Sequence, residues 1–125
     1  MLSELEWLEH GFGTKSAPLS QEGMATLKQI HSAQVLVAEA AGLIGEGDAL
    51  VTARAGVTVS VRTADCYPIL LADVEQRVVA AVHAGWRGTH AEIVIEALRK
   101  MQSDPRNVRA AIGPGIGKCC YHVGQ

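Results

Sequence analysis

RVVAAVHAGWRGTHAEIVIEALRKM, residues Arg77 to Met101, reads as a strand, a glycine turn and a helix in direct succession. Val78–Val82 is a short, wholly apolar run of the kind a buried strand makes. Thr89-His-Ala-Glu92 has the form of a capping box, in which the hydroxyl and the carboxylate each satisfy a free backbone N–H. Behind it Ile93, Val94, Ala97, Leu98 and Met101 recur at helical spacing and form one apolar face. The link from His83 to Gly88 holds an imidazole, the Trp86 indole and the Arg87 guanidinium. It opens onto a helix N-terminus, whose unbonded N–H groups and partial positive charge suit an anion. The plain alternative is a strand-to-helix turn with a surface arginine.

Working outward, Val57–Val61 alternates β-branched residues and predicts a strand. Ile69–Asp73 predicts another, Val74-Glu75-Gln76 a turn, and Arg77–Val82 the return strand. Gln34–Ala38, Asp48–Thr52 and Val108–Ile112 are further strand candidates. His10–Lys15 is broken by glycines and reads as a surface turn. Glu39–Gly47 reads as a polar-to-glycine connection, and Cys119–Gln125 as a tail with no recognisable element. Asp104-Pro105 closes the helix region. About six strands against one strong helix, with neighbouring strands joined by short links, predict a mixed α+β sheet rather than a βαβ order. Gly113–Gly117 follows a strand but opens no helix, so it reads as a tight turn or a backbone nest for an anion, not a dinucleotide loop.

At 125 residues the chain is expected to form one domain. Hydrophobic residues make up 48% but aromatics only 4%, so the core is expected to be aliphatic. A net charge of −2 provides no electrostatic footprint for nucleic acid. No apolar run approaches the ~20 residues of a membrane span. MLSELEWLEHG has three Glu and no basic region, unlike a secretory signal. Three cysteines, two of them the adjacent Cys119 and Cys120, make a poor disulfide framework and fit a reducing, cytoplasmic setting.

His31, Cys66 and His83 border apolar strands, 35 and 17 residues apart. Zinc fingers bring ligands in close pairs, so this spacing suits a site assembled from separate strand ends. Two His and one Cys leave a fourth tetrahedral position open, as in a catalytic zinc site. Zinc there lowers the pKa of water to about 7. A second reading pairs Cys66 with His83 as thiolate and imidazole. A third leaves a buried Cys and two hydrogen-bonded His. Asp65 and Asp48 are candidate carboxylates for orienting a ligand or accepting a proton. Arg62 and Arg87 offer planar forks to phosphate, or are solvated surface charges. Tyr67 precedes Pro68, which holds its backbone extended. Trp86 stacks on a base or caps the core, and His90 is read as a surface residue.

The stretches HGFGTK, LKQIHSAQV, GDALVT, RTADCYPILLAD, AAVHAGWRGT and AIGPGIGKCCYHVG occur in order from His10 to Gly124. Together they resemble the laccase-domain family, also called the multicopper polyphenol oxidase or purine nucleoside phosphorylase family. The resemblance implies a layered α-β-β-α fold, grouped with the cysteine-hydrolase domain of cytotoxic necrotizing factor. It implies metal ligands at His31, Cys66 and His83 and a zinc-dependent enzyme. The implied activities are phosphorolysis of adenosine, inosine, guanosine or methylthioadenosine, and deamination of adenosine. Catalysis would rest on Asp65, Cys66, His83 and Arg87, with Gln29, Asp48, Arg62 and Tyr67 contacting substrate. The alternative for the family is a copper laccase oxidising phenols, but five histidines are too few for a multicopper centre. A Cys–His thiol hydrolase and an inactive truncated domain are two further readings of the same residues. Lys15 stands where an arginine is usual and Ser32 where a glycine is usual, and the segment from Lys15 to Leu27 is short. The chain is about half the usual length, which makes it a shortened or partial member. Sheet edges left open by such a chain favour self-association.

Overall fold

The computed structural model describes residues 8–13, 23–30, 32–63, 67–84, 89–112 and 117–123. The first sheet places β1 (Leu8–Gly13), β10 (Gly117–Val123), β6 (Thr58–Thr63), β2 (Ala25–Lys28) and β4 (Gly42–Glu46) side by side in that order. The second places β3 (Val35–Val37), β5 (Ala49–Thr52), β8 (Val78–Ala84), β7 (Tyr67–Asp73) and β9 (Val108–Ile112). Both sheets are mixed. β2 runs parallel to β4 and β6, and β3 parallel to β5, while the remaining pairs are antiparallel. The fold is therefore α+β with mixed sheets.

The helix α1 (Thr89–Met101) covers one face of the second sheet, and the first sheet covers the other. That sandwich explains why every residue of β8 is buried. A strand covered on both faces reads as a continuous apolar run, because successive side chains enter different cores. Val79 and Ala81 enter the core between the sheets with Leu50, Leu70, Val59 and Val61. Val78, Ala80 and Val82 enter the core under the helix with Ile93, Ala97 and Met101. Burying each of these larger aliphatic side chains contributes about 1.5–3 kcal/mol. On α1 the buried positions are spaced four apart, whereas Glu92, Ile95, Arg99 and Lys100 face out. Arg99 and Lys100 in the last turn also complement the helix dipole.

Three segments that read as irregular in the sequence are strands. The glycines of His10–Lys15 predict a turn, but β1 runs through Gly13 and pairs along its length with β10, from Leu8↔Val123 to Gly13↔Lys118. β10 itself replaces the featureless tail expected over Cys119–Gln125, because it is held between β1 and β6. Within Glu39–Gly47, Gly42–Glu46 forms β4 by parallel pairing with β2. Local glycines and polar residues hide all three, and distant partners supply the ladder bonds that define them. β8 also runs two residues past Val82, so His83 lies inside a strand and not in the turn after it. Among the described residues no helix is long and apolar enough to cross a membrane.

At one end of the second sheet, β7 and β8 are joined by the tight turn expected at residues 74–76. Fully buried Asp73 closes it, accepting from Glu75 N at 2.9 Å and Gln76 N at 3.0 Å through Oδ1. Its Oδ2 accepts from Ser103 Oγ at 2.5 Å, tying the turn to the chain leaving α1. Arg77 completes the turn in the left-handed region at φ 55°.

Candidate functional site

The opposite end of that sheet gathers the functional candidates. β5 and β8 pair with Ala49 opposite Val82, so the next residues outward are Asp48 and His83. His83 N donates to Asp48 O at 2.7 Å, which continues the ladder. By strand alternation both side chains fall on the inter-sheet face, the face of Leu50 and Ala81. Asp48 is fully buried and His83 is 5% exposed. Their side chains meet at 2.6 Å, His83 Nδ1 to Asp48 Oδ2.

The other carboxylate oxygen serves a different segment. Asp48 Oδ1 accepts from Ile30 N at 3.1 Å, Ser32 N at 2.8 Å and Ser32 Oγ at 2.9 Å. Ile30 and Ser32 are the chain neighbours of His31. Burial pushes the Asp48 carboxyl up, but the bonds from Ser32, His83 and Ile30 outweigh it and hold the pKa below the ordinary carboxylate value. Asp48 is thus an ionised, buried acceptor between two segments far apart in the chain. Gly47 permits the geometry: a Cβ there would lie 3.0 Å from Gln34 O, and Asp48 N donates to that same oxygen at 3.0 Å.

Cys66 lies outside the described residues. Tyr67, the residue after it, pairs with Ala84, the residue after His83. Gln29 and Arg62 are joined a little further along the first sheet. Gln29 Nε2 donates to Arg62 O at 2.5 Å and Gln29 Oε1 accepts from Arg62 N at 2.7 Å, so the side-chain amide acts as an extra rung between β2 and β6. The Arg62 side chain is exposed. His31, Asp65, Cys66, Trp86 and Arg87 lie outside the described residues, as do the side chains of Tyr67, Thr89, His90, Cys119, Cys120 and His122. Among the described residues no three or more His, Cys, Asp or Glu side chains form a metal cluster, since two of the three expected ligands are not among them. The described pair has the form of a ligand histidine and its orienting carboxylate. A metal-ligating histidine characteristically gives its other ring nitrogen to a carboxylate, and His83 Nδ1 meets Asp48 in that way. Ser32 is a part of the site that sequence reasoning misses. Its contact with Asp48 spans 16 residues, and no local pattern announces it.

Residues 12–125 match the family described as multi-copper polyphenol oxidoreductase laccase. The chain belongs to this family. It is 47% identical over 107 residues to a purine nucleoside phosphorylase of Deinococcus radiodurans, covering 83% of this chain and 42% of that protein. It is 43% identical over 81 residues to adenosine deaminase RL5 from an unknown prokaryotic organism, covering 62% of this chain and 30% of that protein. A solved structure, protein NMB0706 of Neisseria meningitidis, is similar with a TM-score of 0.66 at 39% identity, over 77% of this chain and 41% of that one. This laccase-family chain therefore spans less than half the length of the relatives it matches.

Proposed function

We propose that this chain carries the metal site of a zinc-dependent purine nucleoside enzyme. The reading covers phosphorolysis of adenosine, inosine, guanosine or methylthioadenosine and deamination of adenosine. One observation carries it: chain neighbours of His31, Cys66 and His83 converge on one sheet end, where Asp48 binds His83 and both flanks of His31. The names of the relative in Deinococcus radiodurans and of RL5 support the substrate class.

His31, Cys66 and His83 would hold the zinc, with copper as the alternative metal. When bound, zinc supplies Lewis acidity, polarising an oxygen and providing a nucleophile near neutral pH. Arg62 and Arg87 bind phosphate through their planar forks. In phosphorolysis a phosphate oxygen bonds to ribose C1′ as the C1′–N bond to the base breaks, and Asp65 gives the base its proton. Asp48, which already accepts from Ile30, Ser32 and His83, is a poorer proton carrier than Asp65. In deamination water adds at C6 of adenine and ammonia leaves. Gln29 fixes the Arg62 backbone, and Tyr67 is the candidate contact to sugar or base. The full layered α-β-β-α order, and its grouping with the cysteine-hydrolase domain of cytotoxic necrotizing factor, belong to this proposal. So do a cytoplasmic setting and self-association along the edge strands β4 and β9, where Leu43 and Ile112 are exposed.

The test is release of free base from adenosine and inosine, with and without phosphate, by the chain and by Cys66→Ala. Phosphate-dependent release that the folded variant loses supports the reading. Undiminished turnover in Cys66→Ala overturns it. The Asp48–His83 contact also favours a second reading, with Cys66 as nucleophile and His83 as its oriented base. Stoichiometric alkylation of Cys66 by iodoacetamide, with hydrolysis that persists after zinc removal, would select that reading. Bound copper with oxidation of a phenolic dye would select the oxidase.

A further inference from the structure

We propose that Asp48 is the positioning residue that makes His83 a metal ligand, by fixing its tautomer, and that sets the His31 segment through the same carboxylate. The inference rests on the zinc reading above and adds a residue that governs that site without touching the metal. Three donors crowd Oδ1: Ile30 N, Ser32 N and Ser32 Oγ, at 3.1, 2.8 and 2.9 Å. An oxygen receiving them is an acceptor only, and its twin, Oδ2, faces His83 Nδ1 at 2.6 Å. The short contact therefore places the ring proton on Nδ1, and the imidazole lone pair belongs to Nε2. Only a nitrogen with its lone pair binds a metal. The backbone bond from His83 N to Asp48 O fixes the root of the ring as the side chain fixes its tip. Ser32 strengthens the arrangement beyond what a glycine at this position provides, since its hydroxyl supplies one of the three donors.

Asp48→Asn preserves the shape and reverses the chemistry. The two backbone N–H groups and the hydroxyl require an acceptor, so the amide oxygen takes the Oδ1 position. The amide NH2 then faces His83 Nδ1, which has to accept, and the ring proton moves to Nε2. A residue with a purely structural role would leave the tautomer alone.

The experiment reads the His83 tautomer in the metal-free chain by 15N–1H correlation of labelled histidine. It also reads zinc affinity by competition with a chelator, in wild type, Asp48→Asn and Ser32→Ala. The expected result is an Nδ1–H tautomer in wild type and Ser32→Ala, and an Nε2–H tautomer in Asp48→Asn. Zinc affinity should fall at least about tenfold in Asp48→Asn and less in Ser32→Ala. An Nε2–H tautomer in wild type overturns the proposal without recourse to any variant, as does a folded Asp48→Asn with unchanged tautomer or zinc affinity within about twofold of wild type. Should Asp48→Asn fail to fold, the wild-type tautomer and the Ser32→Ala affinity decide. Should no chain take up zinc, the zinc reading falls while the tautomer change still decides what Asp48 does to His83.

Discussion

Two aspartates, both fully buried, stand at opposite ends of the second sheet. Asp73 closes the β7–β8 turn, and apart from Ser103 its side-chain partners are backbone N–H groups two and three residues ahead. Asp48 begins β5, and its side-chain partners lie 16 to 35 residues away. For each, burial raises the carboxyl pKa and hydrogen bonds more than offset it, leaving both below the ordinary value. The electrostatic solution is shared, but the purpose differs. Local backbone partners make Asp73 a closure of the fold. Distant partners, one of them a buried imidazole, make Asp48 an organiser of side chains. A buried carboxylate alone therefore says little about function, and the kind of group it holds, a hydroxyl and turn amides or a buried imidazole, says much more.

Removing each carboxylate separates the two ends. Asp73→Ala leaves three part-buried donors of the turn and of Ser103 without their acceptor and should cost about 1–2 kcal/mol, read as a lower urea midpoint at unchanged slope. Its zinc affinity should match wild type, and a large loss of zinc would break the contrast. Asp48→Asn keeps an acceptor for the His31 segment and should cost only about 1 kcal/mol, while zinc binding suffers. Acid gives a smaller effect, of which the turn carries its own part beside Asp48. The folded pKa of Asp73 lies below its unfolded value, so its contribution is complete above about pH 4 and is lost as pH falls through the folded value. Urea midpoints from about pH 5 down to about pH 2 should fall less steeply in Asp73→Asn than in wild type; parallel slopes would show that the carboxylate adds nothing. The smallest effect is expected at Glu46. Its 3.6 Å pair with Lys28 joins side chains 60% and 68% exposed, so Glu46→Ala should change stability by less than about 0.5 kcal/mol.

What the sequence reveals tracks how local the forces are. β8 and α1 are legible because an apolar run and a helical stripe are written in consecutive residues. β6 is legible from the alternation of Val57, Val59 and Val61, all of which are buried. β1 and β10 are not, since glycines break the local pattern of β1, whose partner is about a hundred residues away, and β10 is a strand only through β1 and β6 on either side of it. β4 is hidden by Gly42 and Gly45. In the sequence the apolar run stops at Val82 only because the next residue of the strand is His83, a polar group on the same alternation. Asp48 is legible as a carboxylate near the site, but not its division between His83 and Ile30–Ser32. That requires β3 to lie parallel to β5, which no local pattern encodes.

The most direct test is the zinc K-edge X-ray absorption spectrum of the purified, folded chain. The account predicts one zinc per chain with two nitrogen ligands at about 2.0–2.1 Å and one sulfur at about 2.3 Å. A folded chain without zinc, or a zinc shell lacking sulfur, would contradict a site built from His31, Cys66 and His83.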